Sequence, residues 1–169
     1  RVLAIRKTGR ISAVFILINI LKPEIHSAGL MPALQSPWFI PHVTVYILSY
    51  AIMGAATIAS IIFLSGKGVK QEALVGVADN LVRIGLGFLL MGMLMGAVWA
   101  KEAWGDYWTW DPKEIWAFIT AATYLVYIHL RRMTINLKLI MWLIPIAFLF
   151  LMITWLGVSY LPSAVNSIH

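Results

Sequence analysis

Four histidines and one tryptophan-rich stretch hold the side chains of this sequence that could do chemistry. The imidazoles are His26, His42, His129 and His169, and there is no cysteine. Thiol chemistry, disulfides and protein-ligated iron–sulfur clusters are therefore excluded. The stretch from Trp99 to Glu114, WAKEAWGDYWTWDPKE, carries four of the eight tryptophans (Trp99, Trp104, Trp108, Trp110) with Tyr107, Glu102, Asp106, Asp111 and Glu114. Flat aromatic area with a few polar groups suits a planar, amphipathic ligand. Two neutral imidazoles meeting a plane from opposite sides are what a six-coordinate haem iron requires. His42 and His169, expected at the outer ends of two helices and level with the aromatic surface, form the candidate pair. The competing reading of each is a helix-end histidine wetted by lipid headgroups.

Within the stretch, Asp111-Pro112-Lys113-Glu114 has the form of a helix start. Asp111 can cap, Pro112 suits the first helical position, and Glu114 can close a capping box. Trp99 and Trp116 stand where spans should meet headgroups, and both read as interfacial belt residues. The ligand face is then Trp104, Tyr107, Trp108 and Trp110. If Glu102–Tyr107 is helical, Trp104 and Trp108 share one face, with Asp111 near the same line. No histidine lies inside the stretch, so metal ligation must come from its flanks. His129 falls within an apolar segment beside Arg131 and Arg132. An ionisable residue there is a functional candidate, and an arginine pair can bind carboxylates such as haem propionates; a snorkelling basic helix end is the alternative. His26 has no partner the sequence suggests.

The elements that must position these groups are membrane-spanning. Hydrophobic residues make up 61% of the 169 and charged residues 12%, outside the range of soluble domains. His42–Leu64 is an uncharged run of about 34 Å if helical, enough to cross a bilayer. Its Gly54, Ala55, Ala56, Ala59 and Ser60 offer a surface for close helix packing. Leu81–Ala100 is a second span, with Arg83 at its loop end and glycines at 85, 87, 92 and 96; Ser65–Asn80 is the loop before it. Ile115–Leu130 is a third, shorter span and Leu139–Leu161 a fourth. Residues 11–21 reach only half a bilayer and form a possible fifth at the N-terminus. Residues 23–41, with four prolines, read as an irregular loop ending in helix-start signals at Ser36-Pro37 and Pro41. The expected fold is an all-α, polytopic transmembrane bundle with an external Trp-rich loop, a single domain over 1–169 and a piece of a longer chain.

Charge orients the bundle. Arg1, Arg6, Lys7, Arg10, Lys67, Lys70, Arg83, Arg131, Arg132 and Lys138 fall on one side, whereas only Lys22, Lys101 and Lys113 fall on the other. The basic side is the cytoplasmic one. The Trp-rich loop, His42 and His169 then share the external, periplasmic face of an inner (cytoplasmic) membrane protein whose surroundings are lipid. The net charge of +6 sits in short loops and forms no aromatic-interleaved basic face, which disfavours nucleic acid. A dihaem electron carrier would place paired histidines in the middle of facing spans, and that spacing does not occur here.

These residues also resemble a known family. WAKEA followed by WGDYWTWDPKE resembles the WWD signature of the haem-handling proteins of cytochrome c maturation. The DPKE ending, the segment PALQSPWFIPHV and the tail YLPSAVNSIH resemble the CcsA/ResC family of system II rather than the CcmC or CcmF proteins of system I. The resemblance runs from Pro32 onward and is weaker before it. It implies that His42 and His169 are the external haem ligands flanking the WWD segment, and that His129 is a transmembrane ligand whose partner lies upstream of Arg1. It implies that haem b is the cargo, taken from the inner side and presented outside to apocytochrome c carrying Cys-x-x-Cys-His. A CcsB/ResB-like membrane partner, separate or fused, is implied as well. The function implied is the haem-presenting subunit of a cytochrome c synthase. The alternative is a haem exporter or chaperone without synthase activity.

Overall fold

The computed structural model describes residues 32–66, 70–133 and 136–157. The chain divides into two compact units, Arg1–Gln35 and Ser36–His169. Of the first, the described part is a short 3-10 turn, Pro32–Gln35. The second contains α1 (Phe39–Leu64), α2 (Gln71–Trp104), α3 (Pro112–Leu130), α4 (Leu137–Met141) and α5 (Leu143–Met152), the last running into a π-helical turn, Ile153–Gly157. No strand occurs among the described residues, as an all-α reading requires. His26, His169 and the possible N-terminal span at 11–21 lie outside them.

Three helices among the described residues are long and apolar enough to cross a membrane: Phe39–Leu64, Gln71–Trp104 and Leu137–Leu156. Pro112–Leu130, expected as a span, is a helix of 19 residues that carries Lys113, Glu114 and His129 and is not among these three. The second span differs most from expectation. The stretch read as loop through Asn80 is helical from Gln71, so Asp79, Asn80 and Arg83 belong to one 34-residue helix. At 1.5 Å per residue α2 extends about 50 Å, well beyond the ~30 Å hydrocarbon layer. Its polar first turns therefore need no loop to escape the bilayer.

Between apolar helices in lipid there is little hydrophobic driving force, and close packing with interhelical hydrogen bonds takes its place. The α1–α2 hairpin is built that way. Met53, Tyr46 and His42 of α1 lie in one antiparallel register against Gly85, Gly92 and Gly96 of α2. A Cβ at those glycines would stand 2.9 Å from Met53 Sδ, 3.2 Å from the Tyr46 ring and 2.6 Å from His42 Cε1. Ser49 Oγ adds a hydrogen bond to the Gly85 carbonyl at 2.9 Å. On the opposite flank Gly54 meets the Phe148 ring of α5, as the small-residue surface on α1 anticipates. Met53, Val82, Leu89, Tyr124, Ile140 and Ile144 fill the common core.

The last long helix is interrupted between α4 and α5 for an identifiable reason. Pro145 has no N–H, so the Met141 carbonyl four residues earlier loses its helical donor. The fully buried Ser60 hydroxyl donates to that carbonyl at 2.7 Å. A serine on a neighbouring helix is a known remedy for such a break in lipid.

Candidate functional site

Alternation of the helices gives the Ser36–His169 unit two ends. At one, the start of α1 meets the end of α2 and the start of α3. At the other, the start of α2 meets the end of α3. The candidate residues divide between them.

At the first end, α2 stops at Trp104 because Gly105 adopts the left-handed conformation (φ 97°) and caps it, a backbone state suited to glycine. Glu102–Tyr107 is therefore not a continuous helix, and Trp104 and Trp108 do not share a helical face. Two aromatic clusters replace the expected single one. Trp104 stands edge-on to Trp99 (centroids 4.7 Å), which also meets Phe39 (5.5 Å) and His42 (5.4 Å). Trp108 stands edge-on to Trp110 (5.7 Å), and Trp110 meets Phe118 of α3 (6.1 Å).

The loop between the helices is tied at both ends. Lys101 Nζ donates to the Gly105 carbonyl at 2.6 Å and lies 5.3 Å from the Tyr107 ring centre. Glu114 closes the capping box that the DPKE pattern predicts: its backbone N–H donates to Asp111 Oδ1 at 2.8 Å. Its carboxylate accepts from the backbone N–H groups of Asp111 (3.2 Å) and Thr109 (2.8 Å). Asp111 is buried as the cap, whereas Tyr107 and Trp110 are 57% and 62% exposed. Trp110 is held at φ 59°, an uncommon state for a bulky residue that costs energy and turns its indole outward. Trp108 is half-buried, and its indole N–H is enclosed without an acceptor among the described residues. Such a donor carries a desolvation penalty of about 1–3 kcal/mol until something accepts from it.

His42 lies in the first turn of α1, half-buried against α2. Its Nδ1 is 2.9 Å from the Gly92 carbonyl oxygen. A carbonyl can only accept, so Nδ1 carries the proton and Nε2 keeps its lone pair, the form in which imidazole binds a metal. Trp99 stacks on the ring (interplanar 27°) and Tyr46 meets its edge (88°). Trp99 is thus more than a belt residue. Trp116 also points into the protein, 5.7 Å from Phe150 of α5.

His129 sits at the other end, exposed in the last turn of α3, with Nδ1 2.8 Å from the Leu125 carbonyl. The carbonyl partner there places a proton on Nδ1, as at His42. Eighteen residues of α3 separate it from Asp111, about 27 Å at helical rise, so His42 and His129 cannot share one iron. Nearby, Arg131 is committed. Its guanidinium forms a two-point pair with Asp79 (2.9 and 2.7 Å), and the Tyr127 hydroxyl donates to the same carboxylate at 2.5 Å. The expected arginine pair for carboxylates is therefore reduced to Arg132, which is exposed. The Asp79–Arg131–Tyr127 cluster was missed in the sequence because Asp79 was read as loop. The two ends of the unit leave no three His, Cys, Asp or Glu side chains grouped as an ion site among the described residues. One or two imidazoles suffice for a macrocycle-bound iron.

A family model for cytochrome C assembly proteins matches residues 4–165. The chain belongs to the cytochrome c assembly family. Within it, the chain is of the CcsA type, being similar to three curated cytochrome c biogenesis proteins CcsA. That of Chlamydomonas reinhardtii is 41% identical over 69% of this chain and 36% of the relative. That of Atropa belladonna is 36% identical over 85% of this chain and 59% of the relative. That of Prochlorococcus marinus is 37% identical over 70% and 48%. The chain thus spans between about a third and three fifths of these relatives' length.

Proposed function

We propose that this chain is the haem-holding part of a system II cytochrome c synthase, an integral membrane protein that presents haem b at the external face for attachment to apocytochrome c. The observation that carries the reading is His42: an imidazole with a fixed proton on Nδ1 and a free Nε2, beside the Trp-rich segment. The residues present suit haem. His42 offers a ligand atom, Tyr107 and Trp110 offer exposed flat surfaces, and the enclosed Trp108 N–H can donate to a ligand acceptor. His169 is the proposed second external ligand and lies outside the described residues. His129 is proposed for a separate, inner site, with its partner on a span not in this sequence. α3 is proposed as a fourth span, which returns the chain to the basic, cytoplasmic side and leaves the Trp-rich loop, with His42, outside.

Haem is substrate here. Each thioether forms as a cysteine S–H of the apocytochrome adds across a haem vinyl group, so the sulfur bonds carbon and the proton ends on the neighbouring carbon. The thiols and an incoming histidine come with the Cys-x-x-Cys-His segment of the substrate, which agrees with a chain that has no cysteine. The chain's own part is positioning, an effect large enough to dominate such a reaction without an acid–base residue. A CcsB/ResB-like membrane protein is the proposed partner.

The test is co-expression of the full-length protein, its partner and a reporter apocytochrome c. Covalent haem on the reporter, detected after denaturing electrophoresis, is the expected result. Haem bound to the membrane protein with no covalent product would identify a haem chaperone or exporter instead.

A further inference from the structure

His42 is seated by two glycines of the facing helix, and their arrangement does more than make room. In α2 the Gly92 carbonyl is the helical acceptor for the Gly96 amide. The side chain four residues on ordinarily shields such a carbonyl from neighbouring helices. With no side chain at Gly96, the flank of the Gly92 carbonyl is open, and His42 Nδ1 reaches it at 2.9 Å. The fit leaves no slack: a Cβ at position 96 would stand 2.6 Å from His42 Cε1 and 2.8 Å from Nδ1, both from the ring body rather than a flexible tip. Trp99, three residues further along α2, closes over the ring at 5.4 Å. Gly87 of the same helix has nothing within 4 Å of its would-be Cβ, so the close contact belongs to the face of α2 that carries Gly85, Gly92 and Gly96, and only Gly96 meets the His42 ring.

We infer that Gly92 and Gly96 are positioning residues for haem ligation: the Gly92 carbonyl, exposed by the absent side chain at Gly96, fixes the His42 tautomer and ring plane so that Nε2 is the ligand atom. The inference rests on His42 being a haem ligand. In free neutral histidine the proton favours Nε2, so a protein that needs Nε2 as donor must hold the proton on the other nitrogen, the usual task of an outer-shell acceptor. Loss of such a partner typically weakens metal binding ~10–100-fold.

The first measurement needs no haem. Full-length protein with 15N-labelled histidine, in detergent micelles above neutral pH, is examined by NMR, with the His42 signals assigned by their loss in His42→Ala. An Nδ1-protonated His42 is expected; an Nε2-protonated ring would overturn the inference whatever the variants do. The second compares Gly96→Ala with Gly87→Ala for haem affinity and absorption spectrum. Gly96→Ala should lose the Nδ1–H signature and bind haem ~10–100-fold more weakly, while Gly87→Ala stays as wild type. In a His42→Ala background supplied with imidazole, Gly96→Ala should add nothing. Wild-type affinity in Gly96→Ala, or an equal loss in the His42→Ala background, would overturn the inference. Unchanged haem in His42→Ala itself would instead overturn the ligand reading, a distinguishable failure.

Discussion

At the scale of single residues, the candidate site depends on side chains that fix other side chains. Glu114 is the clearest case, because one carboxylate accepts from two backbone donors while its own amide serves Asp111. Glu114→Ala should cost about 1–2 kcal/mol at the start of α3 and release the Trp108–Trp110 pair, read as a reduced near-UV circular dichroism signal. Glu114→Gln keeps an acceptor and should retain most of that signal; equal loss in both would separate the loop's order from this cap. The cap was legible in the sequence because its partners are three residues apart. Trp99 was not, because the ring it covers belongs to another helix and a tryptophan at a span end is ordinarily an interfacial anchor. The spacing of Gly92, Gly96 and Trp99 along one helical face was the available signal. It could not name His42 as the neighbour without the antiparallel register.

At the scale of elements, polar residues were the misleading signal. Asp79 and Asn80 were read as the end of a polar loop before the span at Leu81, yet Asp79 is helical and joins α2 to the end of α3 through Arg131 and Tyr127. The ion pair is only partly exposed, its side chains at 24% and 14%, and Tyr127 is buried. Asp79→Ala leaves two donors without their acceptor and should destabilise the bundle by about 1.5–3 kcal/mol, more than Arg131→Ala, which leaves the Tyr127–Asp79 bond intact. Thermal unfolding in detergent checks the order of the two, and a larger loss in Arg131→Ala would contradict it. Three of the expected spans were legible from length and apolarity. The interruption at Trp142 was signalled only by Pro145, and its compensation by Ser60 needed the packing of α1 against α4.

At the scale of the whole molecule, the Ser36–His169 unit has two separated ends, one carrying His42 and the Trp-rich loop and the other carrying His129, Asp79 and Arg131. These 169 residues contain no cysteine, so single substitutions at exposed positions test this, with any cysteine elsewhere in the full-length protein replaced beforehand. Tyr107→Cys and Arg132→Cys should react with a membrane-impermeant maleimide from opposite sides of the membrane, Tyr107→Cys from outside. Labelling of both from one side would overturn the proposed topology. The central claim is more local: His42 holds haem through Nε2. It is tested most directly by purifying full-length wild type and His42→Ala and measuring bound haem and its reduced absorption spectrum, with and without added imidazole. Bis-histidine haem is expected in the wild type, its loss or altered ligation in His42→Ala, and recovery with imidazole. An unchanged haem content and spectrum in His42→Ala without imidazole would contradict it.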